Sequence, residues 1–455
     1  MEQSSKEISI GIFGHYGNEN LGDEAIIEAM VQNMRARWPS SQLYGFSINP
    51  RDTQQRYGIS AFPIRQISGP VSQASLPSKP THDDDSGQVA ECSMQGPKSS
   101  WALCAKSILK RMPVLGSFLK LVSSLPYMGS EFISELRFLK QSYQHVQQVD
   151  VLLITGSNQF LDNFGGVWGF PYTLLKWSIL AKLGGKKVFY VSVGAGPLSS
   201  SWSKRLIRMA LLFSDFTSFR DAPSKQLIQS AGFKGKSYVF PDLAHSLSFK
   251  GLSTENNIKC DGGEKKPTVG INPMPMYDRR YWCEVDDNKY FAYIEKLAEF
   301  SSILIHEGYP VRFFPTQPKD EHVITDVLDM LKNKQIDTHA MMSTPRTVEE
   351  LMDDLARVDI AITTRFHGTL LALHAGKPVL AICYYRKTDD LMKEMGQGDY
   401  SVELDDFEVS ELLKKFRTLE QQMEKEVKCI KAENRRRRKA LEEQYQILFN
   451  MIEGC

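Results

Sequence analysis

Apolar residues in this chain gather in short unbroken runs, and between those runs they recur at helical spacing. Ile8 to Phe13, Leu43 to Ile48, Val151 to Thr155, Lys187 to Val193, Phe216 to Phe219 and Ser237 to Phe240 predict one series of strands. Thr268 to Asn272, Val311 to Phe314, Asp359 to Thr364 and Val379 to Cys383 predict a second. Runs this short and this continuously apolar fit strands covered on both faces, as in a parallel sheet. Amphipathic helices are expected after Asp23-Glu24 and at Pro171 to Leu183, Tyr290 to Glu307, Glu321 to Lys332 and Val348 to Arg357. Strand and helix alternate, which is the α/β pattern of doubly wound sheets. The stretch Val358 to Tyr385 shows the unit whole: a strand stops at Arg365-Phe366-His367-Gly368, a helix follows, and Gly376-Lys377-Pro378 turns the chain into the next strand. A right-handed crossover is expected there.

Breaks in the pattern set the domains. Gly251 to Lys266 is polar and aperiodic and is read as a linker. The expected organisation is an N-terminal Rossmann-like domain over 1–255, a C-terminal one over 267–410 that carries the Arg-x-His motif, and a charged helical segment over 411–455. Inside the first domain, 67–149 reads as a flexible and amphipathic insertion. Its first part, to about Ser100, is rich in Ser, Pro and Gln and cannot bury enough apolar surface to order itself. Its second part, Trp101 to Met128, carries Lys106, Lys110, Arg111 and Lys120 without an acidic residue, along an apolar stripe that would suit either a membrane interface or the protein's own core. The run Arg435 to Lys439 has glutamates nearby and is expected on a solvated helix face. The fold class is thus α/β, two doubly wound (Rossmann-like) domains facing a cleft, in the manner of GT-B enzymes.

Charge and cysteine usage narrow the partners. With 55 basic and 54 acidic residues the net charge is +1, so no global footprint for nucleic acid is present. Seven scattered cysteines have neither disulfide-framework nor zinc-ligand spacing, which fits a reducing cytoplasm and no metal. The amino terminus does not read as an export signal, and no uncharged run reaches the roughly 20 residues of a membrane span. A cytoplasmic protein is expected, with peripheral contact at the inner face of the membrane as one open reading.

Candidate chemistry sits where the strands end, because ligands of parallel sheets bind beyond the carboxyl ends of the strands. The first strand runs into a turn containing Gly14, Gly17, Gly22, Asp23 and Glu24, which is either a ligand-facing loop or a structural turn. Gly156-Ser157, Gly194 and Gly196 close later strands, and Arg220 stands at another strand end. In the second series Arg365 offers a planar cation, His367 a proton carrier near neutral pH, and Lys387 a further cation. The competing account is that Arg365 pairs with a neighbouring carboxylate and His367 caps its helix.

Several of these segments, taken together, carry a resemblance. GIFGHYGNENLGDEAIIEAM, ITGSNQFLDN, VSVGAGPL, SFRDAPS, FPDLAHSL and TTRFHGTLLALHAGKPVLAICYYRKTDDLM resemble, in order, the segments of the polysaccharide pyruvyl transferase family. The usual triple glycine of the second segment is reduced here to Thr155-Gly156-Ser157. The resemblance implies transfer of a pyruvyl group from phosphoenolpyruvate, a donor substrate rather than a cofactor, to a sugar of a polysaccharide or its lipid-linked precursor, giving a ketal. It implies His367 as acid/base, with Arg220, Arg365 and Lys387 toward the donor, and Asp23 and Glu24 toward either the loop or the acceptor glycan. Two alternatives stay open: a GT-B glycosyltransferase using a nucleotide sugar, and a non-catalytic carbohydrate-binding relative.

Overall fold

The computed structural model describes residues 8–66, 133–249, 266–282 and 285–454. The stretch 67–100, the basic segment 101–128 and all but the last residue of the linker expected at 251–266 lie outside them. The chain forms two compact units, one made of Met1–His15 and Ser40–Val239, the other of Tyr16–Pro39 and Phe240–Cys455. Unit 1 ends at Val239, before the expected boundary near 255, and the helix after the first strand belongs to the second unit.

In chain order the first stretch holds β1 (Ser9–Phe13), α1 (Leu21–Arg37), β2 (Gln42–Ser47), α2 (Pro50–Tyr57), β3 (Ser60–Pro63) and a helix α3 over 133–147. It continues with β4 (Val151–Thr155), α4 (Phe170–Leu183), β5 (Lys187–Val193), α5 (Ser201–Leu212), β6 (Phe216–Phe219), α6 (Ala222–Ser230) and β7 (Tyr238–Val239). Apart from α1, these build unit 1 around a seven-stranded parallel sheet in the order β3-β2-β1-β4-β5-β6-β7. Every residue of β4 is buried, as a central strand covered on both faces requires. Trp177 of α4 fills the core between Phe13 and Phe46 and donates its indole N–H to the Ile64 carbonyl at 3.0 Å. Two features depart from expectation. Helix α2 and strand β3 went unpredicted because PRDTQQRY is polar; its ends are secured by the Asn49 side chain, which accepts from Asp52 N–H, and by Gly58 in the left-handed region at φ 63°. Helix α3 falls inside the expected insertion, yet Phe138 and Val146 pack into the core, so the insertion ends before it.

Unit 2 contains α1 and then β8 (Val269–Asn272), α7 (Asp287–His306), β9 (Val311–Phe313), α8 (Pro318–Asn333), α9 (Val348–Ala356), β10 (Ile360–Thr363) and α10 (Phe366–His374). It closes with β11 (Val379–Cys383), α11 (Arg386–Glu394), β12 (Ser401–Glu403), α12 (Val409–Gln421) and α13 (Met423–Glu453). Its parallel sheet runs β12-β11-β10-β8-β9. Helix α1 packs on α9, α10 and the 3₁₀ turn Leu243–Ser246, which is why it is buried almost all round instead of along one stripe. The basic run on α13 needs a correction: Arg437 is buried and ion-paired to Glu394 at 3.0 Å and Glu433 at 3.4 Å, while its neighbours Arg435, Arg436, Arg438 and Lys439 stay exposed.

Candidate functional site

The sheet of unit 2 reverses its winding between β8 and β10, where Asn272 is in register with Thr363. A crevice forms beyond the carboxyl ends of strands at such a switch, because the following helices depart to opposite faces. The residues there are Asn272 from β8 and, from the end of β10, Arg365 and His367. Arg365 is the N-cap residue of α10, but its side chain does not cap the helix. Its guanidinium turns instead to Asp320 of α8, with Nε 2.7 and 2.8 Å from the two carboxylate oxygens and Nη2 2.5 Å from Oδ1. Asp320 has no exposed surface, and its Oδ2 also accepts from Thr316 N–H, Thr316 Oγ1 and Gln317 N–H. Burial works against the charge on Arg365, yet Asp320 outweighs it and holds the guanidinium above its ordinary pKa. The carboxylate fills the Nε–Nη2 edge of the fork and does not reach the opposite, Nη1 edge.

Two tyrosines border this ion pair. Tyr293 donates to or accepts from Thr364 Oγ1 at 2.8 Å, and burial pushes both Tyr293 and Tyr384 up to about 12, so they stay neutral. Lys319, beside Asp320 in the sequence, is pushed down by burial and by the charge of Arg365. Its ammonium lies 5.5 Å from the ring of Tyr281, whose hydroxyl meets His322 Nδ1 at 2.9 Å.

His367 lies on the first turn of α10, and its imidazole rests against Gly22 of α1. A Cβ added at Gly22 would stand 2.1 Å from His367 Cγ and 2.2 Å from Nδ1, so no other residue fits there without moving the ring. The next residue, Gly368, is equally committed: its Cβ would fall 2.1 Å from Asn272 Oδ1, while Asn272 Nδ2 donates to the Phe314 carbonyl at 2.8 Å. The loop that brings Gly22 in is tied down internally. Gly17, at φ 84°, donates its N–H to Glu24 Oε1 at 2.8 Å; Asn20 accepts from Gly22 N–H and donates to Asp23 Oδ2; Leu21 N–H reaches the Thr316 carbonyl at 3.0 Å. Glu24 is wholly buried and Asp23 nearly so, and both carboxylates accept hydrogen bonds from within the loop. Lys387 lies on α11, after β11, the neighbour of β10.

Unit 1 has a second polar group, at the ends of β4, β5 and β6. Gly194 leaves room for the Arg220 guanidinium: a Cβ on it would lie 2.8 Å from Nη2 and 2.9 Å from Asn158 Oδ1. Arg220 Nε stands 3.5 Å from Asp221, whose Oδ1 accepts from Ser224 N–H at 2.6 Å and so caps α6. Asn158 Nδ2 donates to the Gly196 carbonyl at 2.6 Å, and Gly194 N–H to the Ser157 carbonyl, so the Gly156-Ser157 and Gly194–Gly196 turns brace each other. Gly14 continues β1, its N–H bonded to the Phe46 carbonyl at 3.1 Å. The structure therefore joins Arg365 and His367 with Gly22 in one unit, and Arg220 with Gly194 in the other. Asp320, Asn272, Asn158 and Lys319 were not anticipated; the one available signal was Gln317-Pro318-Lys319-Asp320, a helix start with its carboxylate at the third position.

With this geometry in place, the sequence model of the family "Polysaccharide pyruvyl transferase" matches residues 20–385. The chain belongs to that family. The match opens on the Gly22 loop and closes just after the strand that follows His367, so the two segments that meet in the imidazole seat bracket the matched region. The chain is also 22% identical over 325 residues to the amylovoran biosynthesis protein AmsJ of Erwinia amylovora, across 66% of this chain and 74% of AmsJ. Among solved structures it resembles UDP-GlcNAc 2-epimerase from Neisseria meningitidis bound to UDP-GlcNAc, at TM-score 0.50 and 11% identity over 93% of each chain. A second crystal structure of UDP-N-acetylglucosamine 2-epimerase aligns at TM-score 0.51 and 11% identity, over 96% of this chain and 95% of that one. These likenesses establish the fold, two Rossmann-like domains of GT-B type.

Proposed function

We propose that this pyruvyl transferase family member moves the pyruvyl group of phosphoenolpyruvate onto two hydroxyls of one sugar in an exopolysaccharide, or in its lipid-linked precursor, forming a cyclic ketal. The observation that carries the reading is the seat of His367 on Gly22, since it fixes a titratable ring at the strand-switch crevice beside a buried cation. The reaction needs a proton delivered to the enol carbon, attack of the first hydroxyl on the developing cation at C2, loss of phosphate and closure by the second hydroxyl. Of the two hydroxyl protons released, one balances the new methyl group and the other leaves with phosphate. His367 is the group that gives and takes these protons, because imidazole works in both directions near neutral pH. Arg365, through the edge of its fork turned away from Asp320, and Lys387 serve the donor's anionic groups from unit 2. Arg220 is the anion contact of unit 1.

The test is incubation of the purified chain with phosphoenolpyruvate and exopolysaccharide repeat oligosaccharides, read as phosphate release together with an acceptor mass raised by pyruvate less water. His367→Gln should lower turnover by about 10² to 10⁴ while phosphoenolpyruvate still raises the Tm. Stabilisation by nucleotide sugars and not by phosphoenolpyruvate would replace this reading with that of a glycosyltransferase.

A further inference from the structure

Helix α5 of unit 1 turns Ile207, Ala210 and Leu211 into the core and leaves large apolar side chains outside. Trp202, Met209 and Leu212 are 63%, 42% and 70% exposed. Positions 202, 205, 209 and 212 fall on one helical stripe, so these three share a face with Arg205, whose guanidinium lies 5.0 Å from the Trp202 ring. Leu183, the last residue of α4, is 70% exposed as well, and the Lys182–Asp215 ion pair at 2.5 Å ties the end of α4 to the turn that follows α5. Exposed apolar side chains that share one helix face and are flanked by cations are the pattern of an interaction surface.

Charge identifies what it meets. Helix α5 contains Lys204, Arg205 and Arg208 and no carboxylate. From residue 182 to 240 the chain carries ten lysines and arginines against two aspartates, Asp215 and Asp221, a net +8 within a chain whose total is +1. Asp215 is already paired to Lys182, and Asp221 caps α6. The other strongly basic, apolar segment, 101–128, has the same sign and is no electrostatic complement to this face. A tryptophan, a methionine and leucines flanked by long cations fit a phospholipid interface, where the rings and aliphatic ends enter the headgroup boundary and the ammonium and guanidinium groups meet lipid phosphates. No helix among the described residues is long and apolar enough to cross a membrane, so the contact lies in the plane of the surface. We propose that the α5 face, centred on Trp202, Arg205, Met209 and Leu212, is a docking surface for an anionic phospholipid bilayer. The proposal does not depend on the pyruvyl-transfer reading.

The experiment is cosedimentation of the full chain with vesicles of phosphatidylcholine containing phosphatidylglycerol, and with phosphatidylcholine alone, at low and physiological salt. Wild type should pellet with the anionic vesicles and release with salt. Trp202→Ser combined with Leu212→Ser should weaken binding at least about tenfold, and Arg205→Gln with Arg208→Gln by roughly fivefold per charge, both with unchanged Tm. A variant neutralised at Lys106, Lys110, Arg111 and Lys120 separates the two basic regions. The proposal fails if wild type stays in the supernatant, or if the α5 variants pellet like wild type while the 101–128 variant does not. It fails equally if light scattering shows a wild-type dimer that Trp202→Ser/Leu212→Ser converts to monomer, because the face would then be an interface between copies.

Discussion

Arg365 and Arg220 occupy equivalent places, each just beyond a buried strand, and the protein treats them differently. Arg365 is clamped along one edge by a carboxylate with no exposed surface, itself bound to two backbone N–H groups of a helix start. Arg220 is itself buried and meets Asp221 at 3.5 Å through Nε, but about a quarter of the Asp221 side chain is exposed. A buried pair with saturated hydrogen bonds is costly to break, because removing one partner leaves the other charged and dry. Removal of Arg220 leaves behind a carboxylate that water reaches and that keeps its bond to Ser224 N–H, so the loss is smaller. The first arrangement therefore contributes to holding unit 2 together as well as to any ligand, whereas the second ties Arg220 to a carboxylate that also caps α6. Residue type and strand-end position do not reveal that difference; the partner does.

The largest effect expected from the comparison is on stability. Arg365→Ala should cost about 3 to 5 kcal/mol, and Asp320→Asn in the same chain should return much of it, as read by denaturant titration. Equal losses for Arg365→Ala and Arg220→Ala would abolish the distinction.

The next effect concerns pH, again with unit 2 the more sensitive. Burial, opposed by a bond to the Leu247 carbonyl and aided by Arg438, holds His374 at about 4 instead of 6.5, and neighbouring His245 is lowered well below its ordinary value by burial, Arg437 and His374. Both rings bind fewer protons folded than unfolded. Their contribution is fully present above about pH 6.5; that of His374 is lost as pH falls from there toward 4, by roughly 3 kcal/mol, and that of His245 as pH falls through its lowered pKa. In unit 1 burial shifts half-buried His145 the same way. Hydrogen exchange at pH 7.5 and 5 should show α10 and α13 loosening more than α3; the reverse order would contradict the assignment.

Smaller changes are expected at the two glycine seats. Gly22→Ala must displace the His367 ring and Gly194→Ala the Arg220 guanidinium, each at about 1 to 3 kcal/mol. Steady-state kinetics should separate them, Gly22→Ala acting mainly on kcat and Gly194→Ala mainly on the donor's KM. Least affected in stability should be Arg220→Ala, at about 1 to 2 kcal/mol, with its larger effect on phosphoenolpyruvate affinity in titration calorimetry.

How much of this was legible beforehand follows physical lines. The buried strands were readable because a strand covered on both faces must be apolar throughout, so β4 and β10 announced themselves within a few residues. Helix α2 was not, since its stability rests on two caps rather than on an apolar stripe. The site residues at strand ends could be named from position and chemistry, and the order of the family segments pointed to the family that the match over 20–385 then established. The partner of Arg365 lies 45 positions away, and the glycine that seats His367 lies at the other end of the matched region. Local periodicity reports which side of an element is buried, because that is a property of neighbours along one helix or strand. Which carboxylate neutralises which arginine, and which glycine has no room for a methyl group, depends on how separate elements pack, and only the tertiary structure decided that.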